Sequence, residues 1–302
     1  MAAGKASEDG STVNLVYLVR WSLFIVVPRC IIFILVNIEG VLALGEYVKP
    51  REWLARPLPI MRHTWSRREW LGGYWLYVEI FVWGLIGVAG IYFTINHLIA
   101  NFGSYGWSPE ISLDSKIPPV AWMIIPYISL YLLTPGAIFL HPLTDRGRME
   151  LILALQGVVL LTAFHGIFFV LFPADIALRD QLPAEILAYE GIFGRMFEII
   201  HTIDNPTNAW PSLHVTLSYV LCRVITIWLD RDYAKTKWGK PLKWILWINW
   251  VLLCGSILTT KQHFLFDLIT GLTLAFSWWW LIEPGFSRVG TMNDSEIGTL
   301  FD

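Results

Sequence analysis

Two short polar segments interrupt long apolar runs, and each carries a histidine. One is DNPTNAWPSLH, ending at His214. The other is SILTTKQHFLFD, which contains His263 and Asp267. The last two are spaced i,i+4, so on a helix they share a face. A carboxylate there holds an imidazole in one tautomer and raises its basicity. The other ring nitrogen is left free to attack an electrophile. In the first segment, Pro211 suits the first turn of a helix and Ser212 can satisfy an open N–H near it. His214 then falls in that first turn, near the positive end of the helix dipole, where open N–H groups also suit a phosphate oxygen.

The elements that must position these residues are long and apolar. The chain has 302 residues, 55% hydrophobic and 15% charged, whereas an ordinary soluble domain is nearer a quarter charged. Its 17 Trp, 17 Phe and 11 Tyr suit membrane interfaces and helix packing. The net charge of -2 leaves no basic excess for a nucleic acid partner. Cys30, Cys222 and Cys254 all lie in apolar stretches without metal-ligand spacing, and read as membrane filler. The polar opening MAAGKASEDGSTV does not form a signal peptide.

A bilayer crossing needs about 20 apolar residues. Six runs qualify or come near: 73–98, 119–141, 149–172, 211–229, 242–259 and 263–283. The expected fold class is therefore all-α, a polytopic membrane helical bundle with six core transmembrane helices. The stretch 14–45 is apolar too, but Arg20, Pro28 and Arg29 interrupt it. It reads as a broken, re-entrant or interfacial segment, with a seventh full span as the rival. The expected organisation is an N-terminal region with a basic loop over 1–72, a membrane domain over 73–283 and a tail over 284–302. That tail, GFSRVGTMNDSEIGTLFD, reads as disordered.

Lys and Arg cluster in 43–72, 142–148 and 230–243, and are sparse in the alternate connections. The basic side is expected to be cytoplasmic, together with the C-terminus. His214 and His263 then lie on the periplasmic, extracellular or lumenal face. The long connection on that face contains LPAEILAYEGIFGRMFEIIHTI, an amphipathic run able to lie in the interface plane.

PSLH and KQHFLFDLITG resemble the second and third signature motifs of the type 2 phosphatidic acid phosphatase (PAP2) superfamily, and span order extends the resemblance over about 73–283. It implies His263 as a nucleophile that forms a phosphohistidine, Asp267 as its orienter, and His214 as the acid that protonates the leaving oxygen. It further implies Ser212 as a phosphate-binding hydroxyl, with no metal and no cofactor. The chain departs from the pattern where Ile257 follows Ser256 in place of an arginine. It departs again where Phe172 stands in place of the first-motif lysine and no proline follows Arg179. Phosphoryl transfer needs positive charge on the equatorial oxygens, and Arg179 and Lys261 are the nearest replacements. The missing arginine, with DSKIPPVAWMIIPYISLYLL, also resembles the inositol phosphorylceramide synthase branch.

The expected partner is a membrane lipid phosphate or diphosphate, with water or a lipid alcohol as acceptor. Hydrolysis ranks slightly ahead of transfer to an alcohol, and a non-catalytic lipid binder or transporter is the reading of a different class. The bland readings are local. His165 is satisfied by a neighbour, Asp204 and Asn208 brace the turn before PSLH, Arg195 faces solvent or headgroups, and Glu79 pairs within the bundle. The prolines in IPPVAWMIIPY and LLTPGAI mark helix kinks that can open a cleft.

Overall fold

A computed structural model describes residues 50–102, 108–174, 176–204, 206 and 209–301. The stretch 14–45 and Asn208 fall outside the described residues. The chain divides into two compact units, Met1–Trp53 and Leu54–Asp302. Of the first, only 50–53 are described, in helical conformation.

Among the described residues the fold is all-helical, and six helices are long and apolar enough to cross a membrane. The first span, Trp75–Ile99, joins α1 (Trp75–Gly84) and α2 (Ile91–Phe102) through a π-helical segment, Leu85–Gly90. The second, Ala121–Leu140, contains α3 (Ile124–Ile128) and α4 (Leu130–Leu140), with Pro135 inside α4. Next come α5 (Asp145–Leu171), the amphipathic α6 (Gly191–Ile203), α7 (Leu213–Arg231), α8 (Gly239–Thr259) and α9 (Leu265–Thr291). A short α10 (Asp294–Gly298) follows.

Burial separates these helices by role. In α7 78% of the apolar window is buried, against 22% in α8. The central α7 packs on α4, α5, α8 and α9. Two buried polar residues of α5 are tied to α7 within the bundle. Both His165 ring nitrogens are engaged, Nδ1 with the Leu161 carbonyl at 2.9 Å and Nε2 with the Thr216 hydroxyl at 3.0 Å. Glu150, fully buried, accepts from Trp228 Nε1 at 2.8 Å and from the Arg231 guanidinium at 2.6 and 2.8 Å. Glu79 pairs with Arg67 at 2.9 Å. Each of these satisfies a group that is costly to leave alone in an apolar interior.

The tail differs from its expected disorder. Helix α9 runs through Pro284 to Thr291, and α10 follows with Ile297 and Phe301 buried. Arg146 Nη2 donates to the Met292 carbonyl at 2.8 Å, and the Phe301 ring lies 6.2 Å from that of Trp65. The tail is docked through the buried Phe286, Val289, Ile297 and Phe301 and the Arg146 hydrogen bond.

Candidate active site

The starts of α7 and α9 lie side by side at one end of the bundle. Their approach is close because α9 carries Gly271 there. A Cβ at that position would stand 3.1 Å from the Ser212 carbonyl oxygen and 3.2 Å from Ser212 Cβ. Ser212 N–H donates to the Asp267 carbonyl at 3.3 Å, so the PSLH turn is hydrogen-bonded to the first turn of α9.

His263 does not lie on α9 itself. The helix begins at Leu265, and a turn carries the chain over from α8, with Lys261 at φ 59°. That left-handed residue folds the chain back, so the N–H groups of Gln262 and His263 both meet the Ile257 carbonyl, at 3.2 and 3.0 Å. The expected single helical face for His263 and Asp267 is thus corrected. The two still meet because Asp267 sits in the first turn and reaches back over the start of the helix. Its Oδ2 accepts from the Phe264 N–H at 2.9 Å and lies 3.3 Å from His263 Nδ1. The Ala209 carbonyl stands 3.1 Å from the same nitrogen. Two acceptors converge on Nδ1, so Nδ1 carries the proton and Nε2 keeps the lone pair.

His214 occupies the first turn of α7 as expected, but Pro211 and Ser212 do not act as expected. Ser212 is the N-cap residue by backbone, its side chain caps nothing, and Pro211 precedes it. The buried Ser212 hydroxyl has no hydrogen-bond partner among the described residues, nor has His214 Nε2. The His214 ring stacks on Tyr127 at 4.2 Å and 29°, and meets the His263 ring edge-on at 5.7 Å. An aromatic contact of this kind contributes about 0.5–1.5 kcal/mol, and here it fixes the plane of the imidazole.

The two cations occupy different places. Arg179 lies in a short 3-10 turn, Ala177–Gln181, and its Nη2 donates to the Asp204 carbonyl at 3.0 Å. Lys261, fully buried, donates to the Asp114 carbonyl at 2.9 Å. Burial pushes the Lys261 ammonium down from its ordinary value, against the pull of the Asp114 carboxylate. Asp114 in turn caps α9, accepting from the Leu265 N–H at 2.7 Å through one oxygen and from the Ile111 N–H at 2.8 Å through the other. Lys261 and Asp114 together join the 108–117 segment to the start of α9.

Asp204, read from the sequence as a brace, is a buried member of the site. It accepts a hydrogen bond from the Tyr92 hydroxyl and another from the Tyr127 hydroxyl at 3.4 Å. Burial pushes its carboxyl up, while Tyr92 and Arg179 pull it down. Asp204, His214 and His263 all line one cavity of about 300 Å³, whose walls are formed by the first and second spans, α5 and α7. Neither Arg179, Lys261 nor Ser212 lines it. Sequence reasoning missed Tyr92, Tyr127 and Asp114. The only signal for Asp204 was its place in the polar run before PSLH.

Fold and site together define a polytopic helical membrane protein that pairs two histidines at one end of its bundle, one of them carboxylate-oriented. The chain belongs to the PAP2 superfamily, whose family model matches residues 112–281. That stretch runs from the Asp114 segment through both histidine motifs. The match is to the superfamily as a whole, and membership supports phosphatase-type phosphoryl transfer in general. No curated protein and no solved structure matches the chain.

Proposed function

We propose that the protein cleaves a membrane-anchored phosphate ester or diphosphate through a phosphohistidine on His263, with water as the final acceptor. The observation that carries this reading is the state of the His263 ring. Its Nδ1 faces the Ala209 carbonyl and the Asp267 carboxylate, and the side chain lines a cavity shared with His214. The lone pair on Nε2 attacks phosphorus in line, forming an N–P bond as the ester P–O bond breaks. His214 Nε2 gives its proton to the departing oxygen. Water then attacks the phosphohistidine, its proton passes to His214, and the N–P bond breaks to release phosphate.

Asp267 steadies the positive charge that develops on the His263 ring. Arg179 is the cation assigned to the phosphoryl oxygens. Lys261 serves that role only by leaving the Asp114 carbonyl, and Ser212 offers its unpartnered hydroxyl as a further contact. The site is assigned to the periplasmic, extracellular or lumenal face, because the basic connections 142–148 and 230–243 lie at the opposite end of the helices. A second reading, transfer to a lipid alcohol, is favoured by one feature: Ile257 stands where the family has an arginine, which weakens the positive field for a free phosphate dianion.

The test uses purified protein with mixed lipid phosphates and diphosphates, with and without ceramide or diacylglycerol. Free phosphate and phospho-lipid products are followed together for wild type and His263→Ala. Phosphate release that vanishes in His263→Ala, by on the order of 10⁴-fold or more, is the expected result. A new phospho-lipid without free phosphate points to the transferase. Turnover that survives the substitution removes His263 from the mechanism.

A further inference from the structure

Helix α6 reaches the turn that carries His263 through one side chain. His201, in the last turn of α6, has both ring nitrogens engaged. Its Nε2 lies 3.1 Å from the Gln262 side-chain nitrogen, and its Nδ1 lies 3.2 Å from the Tyr189 hydroxyl. Gln262 directly precedes His263 and is 1% exposed. Its backbone N–H shares the Ile257 carbonyl with that of His263. The phosphoryl-transfer steps above use neither His201 nor Gln262.

The direction of each hydrogen bond follows from the Gln262 amide. Its nitrogen also donates to the Thr260 carbonyl at 2.9 Å. A carbonyl only accepts, so the amide NH₂ and not its oxygen faces Thr260. The second amide hydrogen then points at His201, whose Nε2 must offer a lone pair. The ring proton sits on Nδ1 and is donated to the Tyr189 hydroxyl. Turning the amide over gives no escape, because its oxygen would then meet the Thr260 carbonyl as a second acceptor. His201 therefore holds Gln262 only as the neutral Nδ1–H tautomer. Once protonated, Nε2 is a donor facing a donor, and the bond is lost.

The other side of the ring is fixed by packing. Tyr189 lies in the turn before α6, with φ 56°. That turn sits so close to the helix that a Cβ on Gly194 would stand 2.5 Å from the Tyr189 carbonyl carbon. Phe197 meets the imidazole edge-on at 5.7 Å. Among the described residues, the titratable and charged groups that face His201 are the Tyr189 hydroxyl and the Arg179 guanidinium. The turn between α8 and α9 presents it with the neutral Gln262. Burial and Arg179 together hold the His201 ring down to about 4, so the neutral form prevails above that pH.

We propose that His201 is a positioning residue: its neutral ring holds Gln262, and through it the turn that presents His263, and its protonation releases that turn. This rests on the phosphoryl-transfer reading above. It adds an acid-side control that is separate from the titration of the two site histidines.

Turnover tests it in three ways. His201→Leu removes the acceptor, and kcat is expected to fall about tenfold with KM within about twofold. His201→Gln places an amide oxygen where Nε2 was, an acceptor that does not titrate, and is expected to bring kcat back to within about threefold of wild type. The ratio of kcat for His201→Gln to kcat for wild type cancels the titrations of His214 and His263. That ratio is expected to be level well above pH 4 and to rise as pH falls through about 4. Gln262→Met breaks the link from the other side, and adding His201→Leu to it is expected to lower kcat by no more than about a further twofold. A Gln variant no better than Leu, a ratio that stays level, or two losses that multiply would overturn the proposal.

A second measurement needs no turnover, so it separates this proposal from the catalytic reading. The histidines are labelled with nitrogen-15 and followed by NMR, with His201→Gln and His263→Ala identifying the two signals. The expected result is an Nδ1–H tautomer for His201 at neutral pH, and His263 resonances that move in His201→Leu. An Nε2–H tautomer, or His263 resonances that stay in place, sinks the proposal. A link seen in this way in a protein with no His263-dependent turnover would refute the catalytic reading alone.

Discussion

At the scale of single residues, the site joins one oriented base to one anion that a phosphate would rather avoid. His263 is held by the carbonyl of Ala209 and the carboxylate of Asp267. Asp204 brings a further carboxylate to the same cavity, under the hydroxyls of Tyr92 and Tyr127. Burial raises the Asp204 carboxyl above its ordinary value of 3.8. The folded protein therefore binds this proton more readily than the unfolded chain does. The group lowers stability above its folded value, and the cost disappears as pH falls below 3.8. Asp204→Asn removes the charge and keeps the shape, but satisfies only one of the two tyrosines through its oxygen. The expected outcome is a difference in thermal midpoint, variant minus wild type, that grows in favour of the variant as pH rises above 3.8. A difference independent of pH would mean that the carboxylate is not penalised in the fold. His201 works with the opposite sign. Burial and the nearby Arg179 guanidinium hold it down to about 4, so wild type and variant should both lose stability as pH falls from the ordinary histidine value of 6.5 through about 4.

At the scale of elements, the start of α9 is the structure on which the site depends. Its open N–H groups are taken up by two carboxylates, Asp267 from within the helix and Asp114 from a segment about 150 residues away. Acidic groups at a helix N-terminus are favoured by the dipole and by the unsatisfied donors. Lys261 fastens the Asp114 backbone to the same turn. Asp114→Ala is expected to cost about 1–2 kcal/mol of stability, read as a lower temperature of inactivation, with a fall in kcat larger than any change in KM because His263 follows the turn. Asp114→Asn retains one of the two side-chain acceptors, and with that oxygen on the Leu265 N–H it should recover part of both. Equal effects of Ala and Asn would place the contribution in the carboxylate charge instead of the cap.

At the scale of the whole molecule, the six spans put the starts of α7 and α9 at one end and the basic 142–148 and 230–243 connections at the other. Charge bias assigns the basic end to the cytoplasm. Single cysteines at Ser115, exposed beside the site, and at Lys237, exposed in the basic connection, test this with a membrane-impermeant maleimide applied to intact cells or sealed vesicles of known orientation. Ser115→Cys is expected to react from the outer or lumenal side, and Lys237→Cys only after permeabilisation. The reverse pattern would invert the assigned face of the site.

Much of this was legible in the residues. Six apolar runs gave six spans, the first five within a few residues of their expected ends, because hydrocarbon thickness and helix rise leave little freedom in length, while the last helix continues past 283 to Thr291. Both histidines and Asp267 were legible as well, since polar side chains in an apolar chain need a reason. The composition of the tail was misleading, because docking depended on Phe301 and Ile297 finding Trp65 and the α5 end of the bundle, which no local pattern encodes. The site diverged for a similar reason. His263 meets Asp267 across a turn that only the left-handed Lys261 makes possible, and Asp114, Tyr92 and Tyr127 reach it from elements remote in sequence. Periodicity reports which face of a helix is apolar. It does not report which distant side chain arrives there. The sequence by itself determined the membrane bundle and marked the two histidines and the aspartate that meet at one end of it. Tertiary packing alone decided that Asp204 joins the histidines, that Lys261 holds Asp114, and that a largely apolar cavity forms beside the histidines, because each depends on contacts between elements that the chain brings together only when folded.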